Sequence, residues 1–117
     1  FTGGVIAYDK KVKTRSLRVS AALLKKHGAV SDECAEAMAR GVRKAVGADI
    51  GIAVTGIAGP DGGTKDKPVG TVHVAVSGPG AARIVRRLSI HGPREAVRSR
   101  AATAALALLK EALDARR

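Results

Sequence analysis

The chain has 117 residues, 45% of them apolar, and its 21 Lys and Arg against 10 Asp and Glu give a formal net charge of +11. That length holds one domain and buries ~65% of its unfolded surface; with Phe1 and Tyr8 the only aromatics, the core must come from Ala, Val, Ile and Leu. A lone cysteine, Cys34, excludes an internal disulfide, no apolar run approaches membrane-spanning length, and the charge favours nucleic acid, a phosphorylated metabolite or an anionic surface as partner.

Neither Asn nor Gln occurs, which suits a thermophile or a GC-rich genome. No charged-then-apolar leader follows Phe1, and the single cysteine fits a reducing cytoplasm, which is the expected compartment. Cys34 lies among Ala35, Ala37 and Met38 at helical spacing and reads as small apolar filler rather than a nucleophile. The basic residues are scattered, from Lys10, Lys11, Lys13, Arg15 and Arg18 through Arg83, Arg86 and Arg87 to Arg94, Arg98 and Arg100. Without aromatics to stack on bases, nucleic acid is not the expected partner, and most of this charge reads as solvated surface.

In chain order, Gly4-Val5-Ile6-Ala7-Tyr8 predicts a short buried strand. Ser20 to Lys26 predicts a helical stretch closed by His27-Gly28. Ser31 reads as an N-cap, with Asp32 and Glu33 favouring the dipole of the helix that follows. Cys34, Met38, Val42 and Val46 place one apolar stripe on that helix, and Gly47 ends it. Asp49–Thr55, Gly70–Ser77 and Ala82–Ile90 read as strands, with Gly78-Pro79-Gly80 turning between the last two. Pro93 opens a long C-terminal helix whose buried face is Val97, Ala101, Ala104, Leu108 and Ala112. Strands flanked by helices imply a layered α/β sandwich with a mixed sheet, in which the Gly70–Ile90 pair is antiparallel.

Between Thr55 and Val69, a loop holding Gly56, Gly59, Gly62 and Gly63 with Pro60 and Pro68 follows a buried strand end. Glycines there let backbone approach a ligand, although Gly and Pro also punctuate any plain connection. Four segments and one lysine occur in order: Gly3-Gly4-Val5-Ile6-Ala7-Tyr8, then Lys13; His27-Gly28-Ala29-Val30-Ser31; Val54-Thr55-Gly56-Ile57-Ala58-Gly59-Pro60-Asp61-Gly62-Gly63; and Lys67-Pro68-Val69-Gly70-Thr71-Val72. Together they resemble the CinA C-terminal domain family, the nicotinamide mononucleotide deamidases. The resemblance covers essentially the whole chain and implies a three-layer α/β/α sandwich. It also implies an N-terminal helix, strand and second helix, carrying a Glu-Ser-Cys-Thr-Gly-Gly motif with the nucleophilic serine, that these residues 1–117 do not include.

By pattern alone Lys13 is a surface lysine in a lysine-rich stretch. The family's Tyr-x-x-x-x-Lys matches Tyr8 to Lys13, which implies Lys13 as general base and Tyr8 as an active-site tyrosine. A serine needs its proton removed to attack an amide, and a lysine does this only when neutral, a state that burial and nearby positive charge favour. Thr55 and Gly56 end a strand, where α/β folds bind ligands. The resemblance makes Thr55 a pocket residue, with Gly56 and Gly59 offering backbone N–H groups to an oxyanion or phosphate. Arg94, a cation in a helix's first turn, opposes the macrodipole; it reads either as a phosphate ligand or as an exposed partner of Glu95. His27, His73 and His91 are too dispersed to imply a metal, and Asp61 and Asp66 read as turn residues.

None of Ser16, Ser20, Ser31, Ser77, Ser89 or Ser99 sits in a nucleophile setting. The function the resemblance implies is that of an amidohydrolase domain deamidating nicotinamide mononucleotide to nicotinic acid mononucleotide and ammonia by a Ser/Lys mechanism without cofactor, its serine outside the chain, with self-association as a homodimer or higher oligomer expected. A non-catalytic nucleotide-binding or assembly module is the alternative, and charge-driven nucleic-acid binding a weaker one.

Overall fold

Asp9 turns the chain into its first helix, its carboxylate accepting the Lys11 backbone N–H at 2.7 Å. The computed structural model describes residues 1–79 and 83–115. Helix α1 (Lys10–Leu17) is followed by α2 (Ala21–His27), α3 (Asp32–Ala45), strands β1 (Gly51–Gly56), β2 (Thr71–Ser77) and β3 (Arg83–Ser89), and α4 (Arg94–Ala115). Ser31 caps α3, as the sequence leads one to expect, and Ser20, expected inside the first helical stretch, instead caps α2; each accepts a backbone N–H three residues on. Helix α1 was not expected: its only inward residues are Lys13 and Leu17, too few to write a visible apolar stripe.

The sheet runs β1-β2-β3, and both ladders are antiparallel: Gly51 pairs with Ser77 and Gly56 with Val72, Thr71 with Ser89 and Ser77 with Arg83. The layers are those of a three-layer sandwich. On one face α1, α2 and α3 bury Leu17, Val19, Leu24, Cys34, Met38 and Ala39 against Ala53 and Ala75. On the other, Val72, Val74 and Val76 pack on Val97, Ala101, Ala105, Leu108 and Ala112 of α4. The expected face of α4 is thus corrected at one position, Ala105 replacing Ala104. Small residues dominate both cores, so helices and sheet approach closely. The second and third strands lie within those expected, and β1 runs one residue past its expected end at Thr55, to Gly56; Gly80 and Ala82, in the expected turn and third strand, fall outside the described residues.

The expected strand Gly4–Tyr8 is not one. Its residues alternate as a strand should, Gly3, Val5 and Ala7 half-buried and Gly4, Ile6 and Tyr8 exposed, but it joins no ladder. A cleft of about 750 Å³ separates residues 1–8 from β1, floored by Leu17, Met38, Val42 and Val46. Alternation sets which side chains turn inward, but a strand also needs a hydrogen-bonding neighbour, and here both facing edges lack one. The sheet's described ladders consequently lack the parallel member of a mixed sheet. Among the described residues, no helix is long and apolar enough to cross a membrane.

Candidate functional site

Because Asp9 fixes where α1 begins, Lys13 and Leu17, one turn apart, both point at α3 and are 6% and 3% exposed. The Lys13 amine donates to the Ala7 carbonyl at 2.5 Å. Tyr8, next in sequence, is 92% exposed. The structure thus brings Lys13 to the backbone beside Tyr8 while the phenol faces outward.

The loop from His27 to Ser31 lies across the end of β1, and three consecutive carbonyls in it are each held by a side chain. Lys67 Nζ donates to His27 O at 2.9 Å, Ser31 Oγ to Gly28 O at 2.9 Å, and Thr55 Oγ1 to Ala29 O at 2.7 Å. Thr55 is 7% exposed on the α3 side of β1. Its hydroxyl spends its proton on this loop and keeps its lone pairs for a donor. Ser31 also accepts the Cys34 N–H at 3.1 Å. Burial pushes the Cys34 thiol above its ordinary pKa, partly offset by the Lys13 and Lys67 ammonium groups, so both cations act on one point at the start of α3.

His73, across the ladder from Thr55, donates or accepts through Nδ1 with Asp32 Oδ1 at 2.6 Å; its Nε2 is buried without a hydrogen-bond partner. No local pattern marks this pair, since its members are 41 residues apart. Lys67 was missed too: Lys65-Asp66-Lys67 reads as solvated charge, and nothing in it marks the third residue as the one turned inward.

Gly59 and Arg94 form a second group. Arg94 Nη1 donates to Gly59 O at 3.0 Å, so its partner is the loop and not Glu95. Gly59 has φ +87°, and a Cβ there would stand 2.5 Å from Val69 Cγ1; only glycine fits. Gly56 closes β1 against Thr71 and Val72, where a Cβ would meet the Thr71 carbonyl at 2.9 Å. No hydrogen bond among the described residues joins the Lys13–Thr55 group to the Gly59–Arg94 group, and neither Lys13 nor Thr55 lines the cleft beside Tyr8. No group of three or more His, Cys, Asp and Glu among the described residues is placed to hold a metal ion.

The CinA C-terminal domain family matches residues 1–113. A CinA-like protein of Gemmatimonas aurantiaca is 57% identical over 110 residues, covering 94% of this chain and 26% of that protein. One from Citrifermentans bemidjiense is 49% identical over 117 residues, covering 100% of this chain and 28% of that protein. This chain therefore spans about a quarter of the length of the curated relatives it matches. Two crystal structures share the fold. The competence damage-inducible protein A of Klebsiella pneumoniae superposes with a TM-score of 0.88 at 40% identity, covering 95% of this chain and 68% of that one. The competence/damage inducible protein of Agrobacterium tumefaciens does so with 0.87 at 34%, covering 91% and 65%. With residues 1–113 matched by the family's domain and its fold shared with these structures, the chain belongs to the CinA family, through that family's C-terminal domain.

Proposed function

We propose that this chain supplies the base and much of the substrate pocket of an amidohydrolase that converts nicotinamide mononucleotide to nicotinic acid mononucleotide and ammonia. Lys13 carries the reading: it is 6% exposed, tied to the carbonyl beside Tyr8, and in no ion pair with a carboxylate among the described residues. Burial without a carboxylate partner is a setting in which lysine serves as a general base. In the proposed reaction a serine hydroxyl attacks the carboxamide carbon while the Lys13 amine takes its proton. The tetrahedral oxyanion then expels ammonia, which leaves carrying that proton, and water releases the acid from the acyl-serine.

The serine would come from the Glu-Ser-Cys-Thr-Gly-Gly segment of family members. The cleft between residues 1–8 and β1 supports this, because a strand laid there would find an unpaired backbone on each side. Tyr8 would orient the carboxamide, and Thr55, Gly56 and Gly59 would hold substrate. Arg94 would take the phosphate with the donors left after its bond to Gly59 O. Self-association belongs to the same proposal, since unpaired edges recruit further strands; light scattering on the purified protein tests it.

The test of function is ammonia release from nicotinamide mononucleotide by a protein extended upstream through the serine motif, beside its Lys13→Ala variant. Turnover lost in the variant supports the proposal. A folded extended protein that binds nicotinamide mononucleotide in calorimetry without releasing ammonia would leave a non-catalytic nucleotide-binding module in its place.

A further inference from the structure

The far end of the sheet carries a second concentration of charge. Thr55 pairs with His73 and Gly51 with Ser77, so the interval from His73 to Ser77 puts about 14 Å of strand between the Thr55 row and this end. A cleft of about 820 Å³ opens there between the last turns of α3 and the adjoining ends of β2 and β3. Arg40, Arg43, Lys44, Ser77, Gly78 and Arg83 line it.

Four cations line this cleft, and two of them share one carboxylate beside it. Arg40 and Arg83 converge on a single oxygen, Glu36 Oε1, at 3.4 and 2.8 Å, and neither Arg43 nor Lys44 is in an ion pair among the described residues. The dipole of α3 favours cations in its last turn, which accounts for Arg43 and Lys44. It does not account for Arg83, which arrives from β3. A concavity of this volume is the size of small-ligand sites. Guanidinium forks match phosphate oxygens in pairs, and an excess of this size exceeds what one carboxylate or one phosphate neutralises.

We propose that this cleft binds a small ligand with adjacent phosphates, as inorganic pyrophosphate or as the diphosphate of a nucleotide. An extended nucleic-acid strand fits less well, because no aromatic residue among the described residues lines the cleft for bases to stack on.

The test is calorimetry of the 117-residue chain with sodium pyrophosphate, and with ADP in a second arm, at ionic strength balanced by sodium chloride. Saturable binding is expected, weakened at least tenfold in Arg43→Ala/Arg83→Ala and unchanged in Arg86→Ala, whose side chain is committed to Glu111 at 2.7 Å. Glu36→Gln, which frees Arg40 and Arg83, should tighten binding severalfold, a gain that misfolding cannot imitate. ADP matching pyrophosphate would mean that phosphates alone are read; tighter ADP would add a nucleoside contact, and both outcomes support the site. Absence of saturable binding, equal losses in Arg86→Ala, or preference for a single-stranded oligonucleotide that depends on Arg86 and Arg87 would each overturn it.

Discussion

Gly41→Ala sets helix propensity against packing, and the structure decides between them. Alanine is favoured over glycine inside a helix by ~1 kcal/mol, so by local preference the substitution stabilises α3. Gly41, however, is where α1 ends against α3. An added Cβ would lie 2.7 Å from the Leu17 carbonyl carbon and 2.9 Å from its Cα, and closer still to its oxygen. Carbon atoms settle at ~3.5–4.0 Å, so α1 must retreat by about 1 Å. The obstacle is backbone, and no rotamer change relieves it. Overpacking costs ~1–3 kcal/mol; taking the upper figure, and subtracting the propensity gain, leaves a net loss of about 2 kcal/mol. At this chain length that lowers Tm by about 8 °C. Thermal and urea unfolding followed by circular dichroism measure it. The same retreat pulls Lys13 from the Ala7 carbonyl, so amide hydrolysis in an extended protein should fall at temperatures where the variant is still folded. A Gly41→Ala protein as stable as the parent would refute the close α1–α3 contact and the placement of Lys13 that depends on it.

Lys13→Ala in the extended protein should abolish turnover while leaving nucleotide binding in place, checked by ammonia release and calorimetry. Thr55→Val removes the donor to the Ala29 carbonyl and leaves a half-buried acceptor without its partner; unfolding in urea should show a loss of about 1–2 kcal/mol. The Cys34 thiol, held above its ordinary value of 9.0 by burial, favours the protonated form in the folded state. Its contribution is fully present below that value and is lost as pH rises through the higher folded value. Stability should therefore fall more steeply above pH 9.0 in the parent than in Cys34→Ala, and thiol-reactive dye at neutral pH should label Cys34 only on unfolding.

Where a residue's neighbours are close in sequence, the reading needed no structure. Ser31 with Asp32 and Glu33 announced the start of α3, and Cys34, Met38, Val42 and Val46 its inward stripe, because cap and stripe are local chemistry. The apolar run Gly4–Tyr8 read as a buried strand too, but sheet membership depends on a partner that local pattern does not contain. Lys67 and the His73–Asp32 pair were invisible for a related reason: their contacts cross 40 and 41 residues. Helix α1 shows a third limit, since a helix that buries a lysine in its only inward turn looks like exposed charge. At the site, the burial of Lys13 and Thr55 was not legible from local pattern, which reads Lys13 as surface charge, and Arg94 was legible as unusual but not as a loop clamp.

The glycine loop between β1 and β2 is tied where it leaves the sheet. Ile57 N donates to Thr71 O, Gly70 N to Ile57 O, and Ile90 N to Gly70 O, while Thr64 N reaches Lys67 O across the loop. A loop fastened at its base has already met the entropic cost of closure, and lengthening it adds little, since doubling a loop's length costs only ~0.6 kcal/mol. Every residue of its tip, Pro60 to Asp66, is exposed. The sheet and the tip are therefore separable inheritances: residues at the tip can be exchanged, lengthened or recharged to suit a different ligand while the stem keeps the register of every strand.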